Sequence, residues 1–297
     1  LLLITLIFTL LLLIPFIPSI KEYLNPKDII PLEINFYYSR NPRYFSESFK
    51  KKLKEKIKIE DIQKALEGTG TLEFNEEEVK IHHTVFIEPK TEINKILYVL
   101  GNLKSGEDVI FRKEVYVKGN AYIGDNNQIR AIACEEEIHL GKNTKIIRWV
   151  DAEKDILTKE DCDLGVSITS NGKIMLGKKC KFKRVYAKEI STHTIHEEDK
   201  EEKDAYIKGN IKTYDNLTIK GNIEIDGNVF GEKDIYIGEN VHIKGNVFSQ
   251  GKIILEDKSK IGEEGKIKSI IAKKGIYIKG RIKVYGFMMT EGEGIVN

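Results

Sequence analysis

The sequence predicts an all-β solenoid, a triangular parallel β-helix of about eleven coils, and three observations carry that expectation. The first is a period of eighteen. Val79, Leu97, Val115, Ile138, Ile156, Ile174, Ile190, Leu217, Ile235, Ile253 and Ile276 each open a unit, and six of the ten intervals between them are eighteen residues long. The second is a period of six inside each unit, clearest in Ile235-Tyr236-Ile237, Val241-His242-Ile243 and Val247-Phe248-Ser249, where three strand residues precede three turn residues. Strand side chains alternate between faces, so Ile235, Ile237, Val241, Ile243 and Val247 should point inward and Tyr236, His242 and Phe248 outward. The third is the Gly-Asn pair that recurs at bends, as in Gly101-Asn102, Gly119-Asn120, Gly227-Asn228 and Gly245-Asn246. Both residue types tolerate the left-handed backbone of a tight corner.

The elements follow in chain order. Residues 1–20 carry no charge before Lys21, and at about 1.5 Å per residue they match roughly the 30 Å of a bilayer core. They lack the small-residue cleavage site of a signal peptide, so the expectation is a transmembrane anchor. The side of the membrane is left open, although Lys21, Lys27 and Arg40 beyond the anchor favour a cytoplasmic body. Residues 21–78 read as a small α+β segment. Ile34, Phe36 and Tyr38 alternate like a strand, Ser46 or Ser48 can cap a helix with Phe49, Leu53 and Ile57 at four-residue spacing, and a second helix is predicted over 61–66. Its expected task is to cover the first coil, whose strand edges would otherwise lie open. The run Lys50, Lys51, Lys52, Lys54 and Lys56 reads as the solvated face of that helix, with an anionic-lipid contact as the rival.

Coils are expected over 79–290, with residues 193–204 as an insertion at one corner and 291–297 as a tail. The stretches from Val115 to Ile138 and from Ile253 to Ile276 share a twenty-three-residue layout, which predicts bulges at one common corner.

Charged residues make up 32% of the chain and nearly cancel to +2, which gives no basic excess for nucleic acid. Three cysteines, an odd number, argue against a disulfide framework. Cys162 and Cys180, one unit apart, are expected as stacked, buried free thiols. His193 and His196 in the insertion lack strict ligand geometry, so no metal is expected. No nucleophile recurs beside a histidine with an orienting carboxylate, and no phosphate-binding glycine loop is present. The chain is therefore read as a non-enzyme with no cofactor and no small-molecule substrate. His139 and His242, both outward, are the bases that a rival acyltransferase reading would use.

The middle residues of the unit-opening strands form an unusual outward column: Lys80, Tyr98, Tyr116, His139, Leu157, Met175, Ser191, Thr218, Tyr236, Ile254 and Tyr277. Stacked at about 4.8 Å per coil they would make a stripe roughly 50 Å long. Such a stripe is either a self-stabilising aromatic ladder or a contact surface for another copy, the N-terminal segment or lipid. Tyr98, Tyr116, Leu157, Met175, Tyr236, Ile254 and Tyr277 are the candidate assembly face. The C-terminal coil, with Ile276, Ile278, Met288 and Met289, is the candidate assembly end, because a terminal coil presents unpaired N–H and C=O groups.

From Leu217 to Ile253, with Ile-Lys-Gly-Asn-Ile-Glu-Ile-Asp-Gly-Asn-Val-Phe and Ile-Gly-Glu-Asn-Val-His-Ile-Lys-Gly-Asn-Val-Phe-Ser, the sequence resembles the bactofilins, polymer-forming prokaryotic cytoskeletal proteins. The resemblance implies a right-handed β-helix that assembles end to end without nucleotide and associates with membrane. This chain departs from the family in its longer run of coils, its spanning segment and its α+β element. The expected function is a membrane-anchored scaffold that self-associates. The rivals are a hexapeptide-repeat acyltransferase and an extracytoplasmic glycan-binding envelope module.

Overall fold

The computed structural model describes residues 41–67, 71–74, 77–192 and 203–297, together with Phe8 and Ile14. The rest of the predicted anchor, the strand at Ile34 to Tyr38, and His193 and His196 lie outside the described residues. Among the described residues no helix is long and apolar enough to cross a membrane. Residues 41–297 form one compact unit.

That unit is a parallel β-solenoid, and its coils stack rung on rung. Leu217, Ile235, Ile253 and Ile276 are vertical neighbours, as the repeat requires. Three columns of strands surround one continuous apolar interior. In the first half the chain passes from face I (Leu97, Val115, Ile132, Val150, Ile168, Val185) to face II (Leu103, Ala121, Ile138, Ile156, Ile174, Ile190) and face III (Phe111, Ile129, Ile146). Twelve strands stack in the face II sheet, a span of roughly 53 Å at about 4.8 Å per strand.

The register corrects the assignment of unit heads. Val115 is followed on its face by Ile132, while Ile138 stacks on Ala121 one face further round. The interval from Val115 to Ile138 is therefore one coil plus the step to the next face. The interval from Ile253 to Ile276 is a true coil carrying an excursion bridged between Glu263 and Lys266. Equal lengths thus have different causes, and there is no shared corner bulge.

A larger correction concerns direction. After Thr192 the chain does not start the next coil. Strand Ala205–Lys208 lies at the far end of the face II sheet, and the chain winds back until its last coil meets the last coil of the first half. There Ile190 lies opposite Val284, Ser191 opposite Lys283, Val185 opposite Met288 and Lys181 opposite Ile295, all antiparallel. The second half visits its faces in the reverse circuit, II then I then III, as two coils of one hand must when they meet end to end. The flanks of the predicted corner insertion, Thr192 and Asp204, therefore lie at opposite ends of the stack and not at one corner, while residues 193–202 lie outside the described residues. Thr192 sits at the junction, donating its hydroxyl to the Gly280 carbonyl at 2.7 Å, whereas the Asp204 N–H bonds the Asn222 carbonyl at the opposite end.

The predicted assembly end is therefore internal. Strand Gly286–Val296 pairs on one side with Lys268–Ala272 and Gly275–Ile278 and on the other with Lys181–Tyr186. Ile276, Ile278 and Met288 are fully buried and Met289 is half-buried.

Corner chemistry also differs from expectation. Left-handed backbone occurs at Lys90, Asp108, Asn126, Asn143, Asp161, Lys179, Asn240 and Lys258, all at the corner between faces II and III. Most Gly-Asn pairs sit elsewhere, between faces I and II, and serve close approach. A Cβ on Gly119 would stand 2.6 Å from the Gly101 carbonyl in the coil beside it. Their asparagines form a ladder, in which the backbone N–H of Asn120 donates to Asn102 Oδ1 and that of Asn246 to Asn228 Oδ1, both at 2.8 Å. Gly209 and Gly221, in the coil after the connection, do adopt positive φ.

All three cysteines are buried and free. Cys162 and Cys180 occupy adjacent coils, their following residues Asp163 and Lys181 being bridged.

The junction yields a test. Thr192 Oγ1 also accepts from the buried Ile282 N–H at 3.0 Å, so Thr192→Val strands that donor and the Gly280 carbonyl. A loss of about 1–3 kcal/mol is expected, read as a lower urea midpoint with unchanged slope.

Candidate interaction surfaces

The predicted outward stripe is divided among three faces, because each side chain follows the strand that carries it. Tyr98 and Tyr116 stand on face I, followed by Ala133. His139, Leu157, Met175 and Ser191 stand on face II and continue to Lys283. Thr218, Tyr236, Ile254 and Tyr277 stand on face III and continue to Ile295.

The face I portion is covered by the chain itself. Helix α1 (Tyr44–Lys56) and helix α2 (Ile59–Glu67) bring Leu53, Ile57 and Ile62 onto Tyr98, Tyr116 and Ala133. The helix starts earlier than the serines suggested. Arg43 is its N-cap without a side-chain cap bond, and the Ser46 hydroxyl donates back to the Arg43 carbonyl at 2.9 Å. Tyr98 and Tyr116 stack with ring centroids 5.1 Å apart and an angle of 5°. Both are buried, and the Tyr116 hydroxyl bonds Glu135.

A buried ion cluster locks α1 to this flank. Arg43 donates to Asp151 at 2.6 and 2.7 Å and to Glu153 at 2.8 and 2.9 Å. Lys50 donates to the same carboxylates at 2.9 and 2.8 Å. Thr169 donates to Asp151 at 2.7 Å, and Asp151 is wholly inaccessible. Burial opposes the Arg43 charge, but the bonds to Asp151 and Glu153 outweigh it and hold its pKa above the ordinary value. The bond from Arg43, with the nearby Lys50, brings Glu153 down to about 2. The lysine run thus divides: Lys50 is buried in the clamp, Lys54 pairs with Glu135 at 3.1 Å, and Lys51 pairs along the helix with Glu55.

The two outward histidines are both engaged. His139 Nε2 lies 3.2 Å from Glu137, and its ring packs on Tyr122. His242 Nδ1 lies 3.4 Å from Glu224, and its Nε2 lies 3.0 Å from the Gly262 carbonyl.

Two uncovered apolar surfaces stand out among the described residues. The first is the coil that opens the second half. Strands Ala205–Lys208, Ile211–Thr213 and Leu217–Ile219 each pair with a later coil on one side only, among the described residues. Inward-facing Ile207 is 39% exposed there, while Ile225, its neighbour one coil on, is 0% exposed. Tyr206 and Tyr214 are exposed in the same coil. At the opposite extremity, hairpin strand Thr71–Phe74 covers Glu77–His82 on face I. The second surface is an open groove of about 620 Å³ on face I of the second half, floored by Phe230, Phe248, Ile271 and Met289.

Sequence reasoning missed the clamp, the open first coil and the groove. Asp151 is the acidic residue in an outward column otherwise formed by Tyr116, Ala133 and Thr169, a signal that becomes readable only once Val115, Ile132 and Val150 are placed on one face. Comparison of the chain with protein-family models, curated proteins and solved structures returns no match.

Trp149, the single tryptophan, packs against Phe49 of α1 with ring centroids 5.9 Å apart, and its emission reports the helix cover. Asp151→Asn leaves the two buried cations Arg43 and Lys50 with Glu153 as their one carboxylate partner and should cost about 3 kcal/mol, with Trp149 emission shifting red as α1 loosens. Acid should loosen the cover as well. Glu153 has a depressed folded pKa, so its contribution is present above the unfolded value of 4.5 and is lost as pH falls towards about 2. Trp149 emission titrated across that window checks it.

Proposed function

We propose that this protein is a structural scaffold that self-assembles, without nucleotide, through the edges of its coils. The observation that carries this reading is the internal junction, where Lys181–Tyr186 and Glu189–Ser191 pair antiparallel with Gly286–Val296 and Ile282–Val284. Coil edges of this chain are thus competent to join end to end. The coil at residues 205–219 offers another row of strand edges, at the first coil of its half where the junction joins two last coils, with apolar Ile207 and Tyr214 exposed in it. A second copy meeting this edge would extend all three faces and cover the open end of the core, the ordinary outcome for an unpaired strand edge.

In this reading residues 1–20 hold the scaffold at a membrane, the bactofilin-like repeats form a right-handed coil, and assembly runs through residues 205–219. The acyltransferase reading is less favoured because His242 has both ring nitrogens occupied.

Electron microscopy and light scattering of the chain lacking residues 1–20 test the proposal. Rods at least twice the length of one chain are expected, and Ile207→Asp, which places a charge on the exposed edge, should return them to single rods. Single rods from the unaltered chain at every concentration and salt would refute end-to-end assembly.

A further inference from the structure

We infer that the groove at Phe230, Phe248, Ile271 and Met289 docks an amphipathic α-helix of a partner protein, with lysine or arginine along its flank. The argument starts from the two ends of face I. At one end Tyr98 and Tyr116 form a parallel stack, and at the other Phe230 and Phe248 do the same, with centroids 5.3 Å apart and an angle of 11°. The first stack lies beneath the apolar side of α1 and α2. The second continues through Ile271 and Met289 and has no cover among the described residues.

The rims match as well. In the first half the residues just past the face I strands include Glu135 and Glu153, and these take the cations of α1: Lys54 on Glu135, Arg43 and Lys50 on Glu153. The corresponding positions in the second half, just past Val229–Gly231 and past Thr290, hold Glu232 and Glu291. Both are exposed, line the groove, and make no ion pair among the described residues. Lys273 stands between them on the same rim, and Lys212 closes the outer end, its ammonium 4.9 Å from the Tyr214 ring.

Size selects the occupant. Four rungs at about 4.8 Å make a strip roughly 20 Å long and one strand triplet wide, far less than the roughly 800 Å² per partner that a stable dimer buries. A helix turn of about 5.4 Å nearly matches the rung spacing, so apolar residues at i, i+4 and i+7 would seat between successive side chains of the strip. Burying the two phenylalanines, Ile271 and Met289 supplies the attraction, and Glu232 and Glu291 set the direction and charge preference.

The test uses the full chain and a fluorescein-labelled peptide of residues 41–58, stapled as a helix on its solvent side. That peptide carries Phe49, Leu53 and Ile57 with the required cations. Fluorescence anisotropy should show saturable binding, weakened about tenfold by Phe248→Ala. Glu232→Lys with Glu291→Lys should weaken it about threefold or more and remove much of its salt dependence. Thermal melts by circular dichroism confirm that each variant keeps the fold, and the rim variants leave the core untouched. No saturable binding would overturn the inference. So would binding that survives Phe248→Ala, or binding that changes with Asp151→Asn instead, since the peptide would then be entering the site of α1. A change in sedimentation on Phe248→Ala would overturn it too, by assigning the groove to a second copy.

Discussion

A coil of parallel strands that simply stops leaves a full circuit of N–H and C=O groups without partners, and the apolar interior above it open to water. How those edges are satisfied shapes everything else in this protein. The last coil of each half closes the other, through Val185 against Met288 and Ile190 against Val284. Because the closure is antiparallel, the second half must be traversed from its far end, and the chain must cross from Thr192 to Asp204 before it can start. Both ends of the body are then N-terminal coil ends. One carries a hairpin and two helices. The other presents Ile207 and Tyr214.

The flank of the first half shows how a solenoid holds a non-repetitive element. Apolar contact alone between α1 and a ladder of tyrosines would leave the helix free to slide by one rung, since neighbouring rungs look alike. Asp151 removes that freedom. It is the carboxylate at a position where neighbouring coils place Ala133 and Thr169, and Arg43 and Lys50 converge on it while also sharing Glu153. Desolvating such ions is costly, and the cost is offset by charge-assisted bonds that exist at one register only. The cover and the Tyr98–Tyr116 stack beneath it are thereby fixed together, while the Phe230–Phe248 stack at the other end of the face has no such cover among the described residues.

Corners separate two roles that glycine and asparagine can play. At the corner between faces II and III the backbone is left-handed, and lysine, aspartate and asparagine all serve there, because the N–H of each residue reaches the adjacent coil. At the corner between faces I and II the coils crowd each other at Gly101 and Gly119, so the need is for a missing side chain, and the asparagine beside it supplies a ladder of amides.

The alternation of Ile and Val with polar residues, the spacing of six and the recurrence at eighteen determined the strands, their inward side chains and the stacking of Leu217, Ile235 and Ile253. These are local properties, set by the two-residue alternation of a strand and the reach of a three-residue turn. The helices at Phe49, Leu53 and Ile57 were legible for the same reason, although their serine caps were not used. Direction was decided only in three dimensions. A period records the distance round a coil and is the same whether the next coil lies above or below, so nothing in Ile190 or Leu217 distinguishes stacking on each other from the observed pairing of Ile190 with Val284. The same blindness joined Tyr116, Leu157 and Tyr236 into one stripe when they belong to three faces, and it left Asp151 without its partners. Register across the junction and contact across a hundred residues of chain arise from tertiary closure of the edges, which no repeat unit encodes by itself.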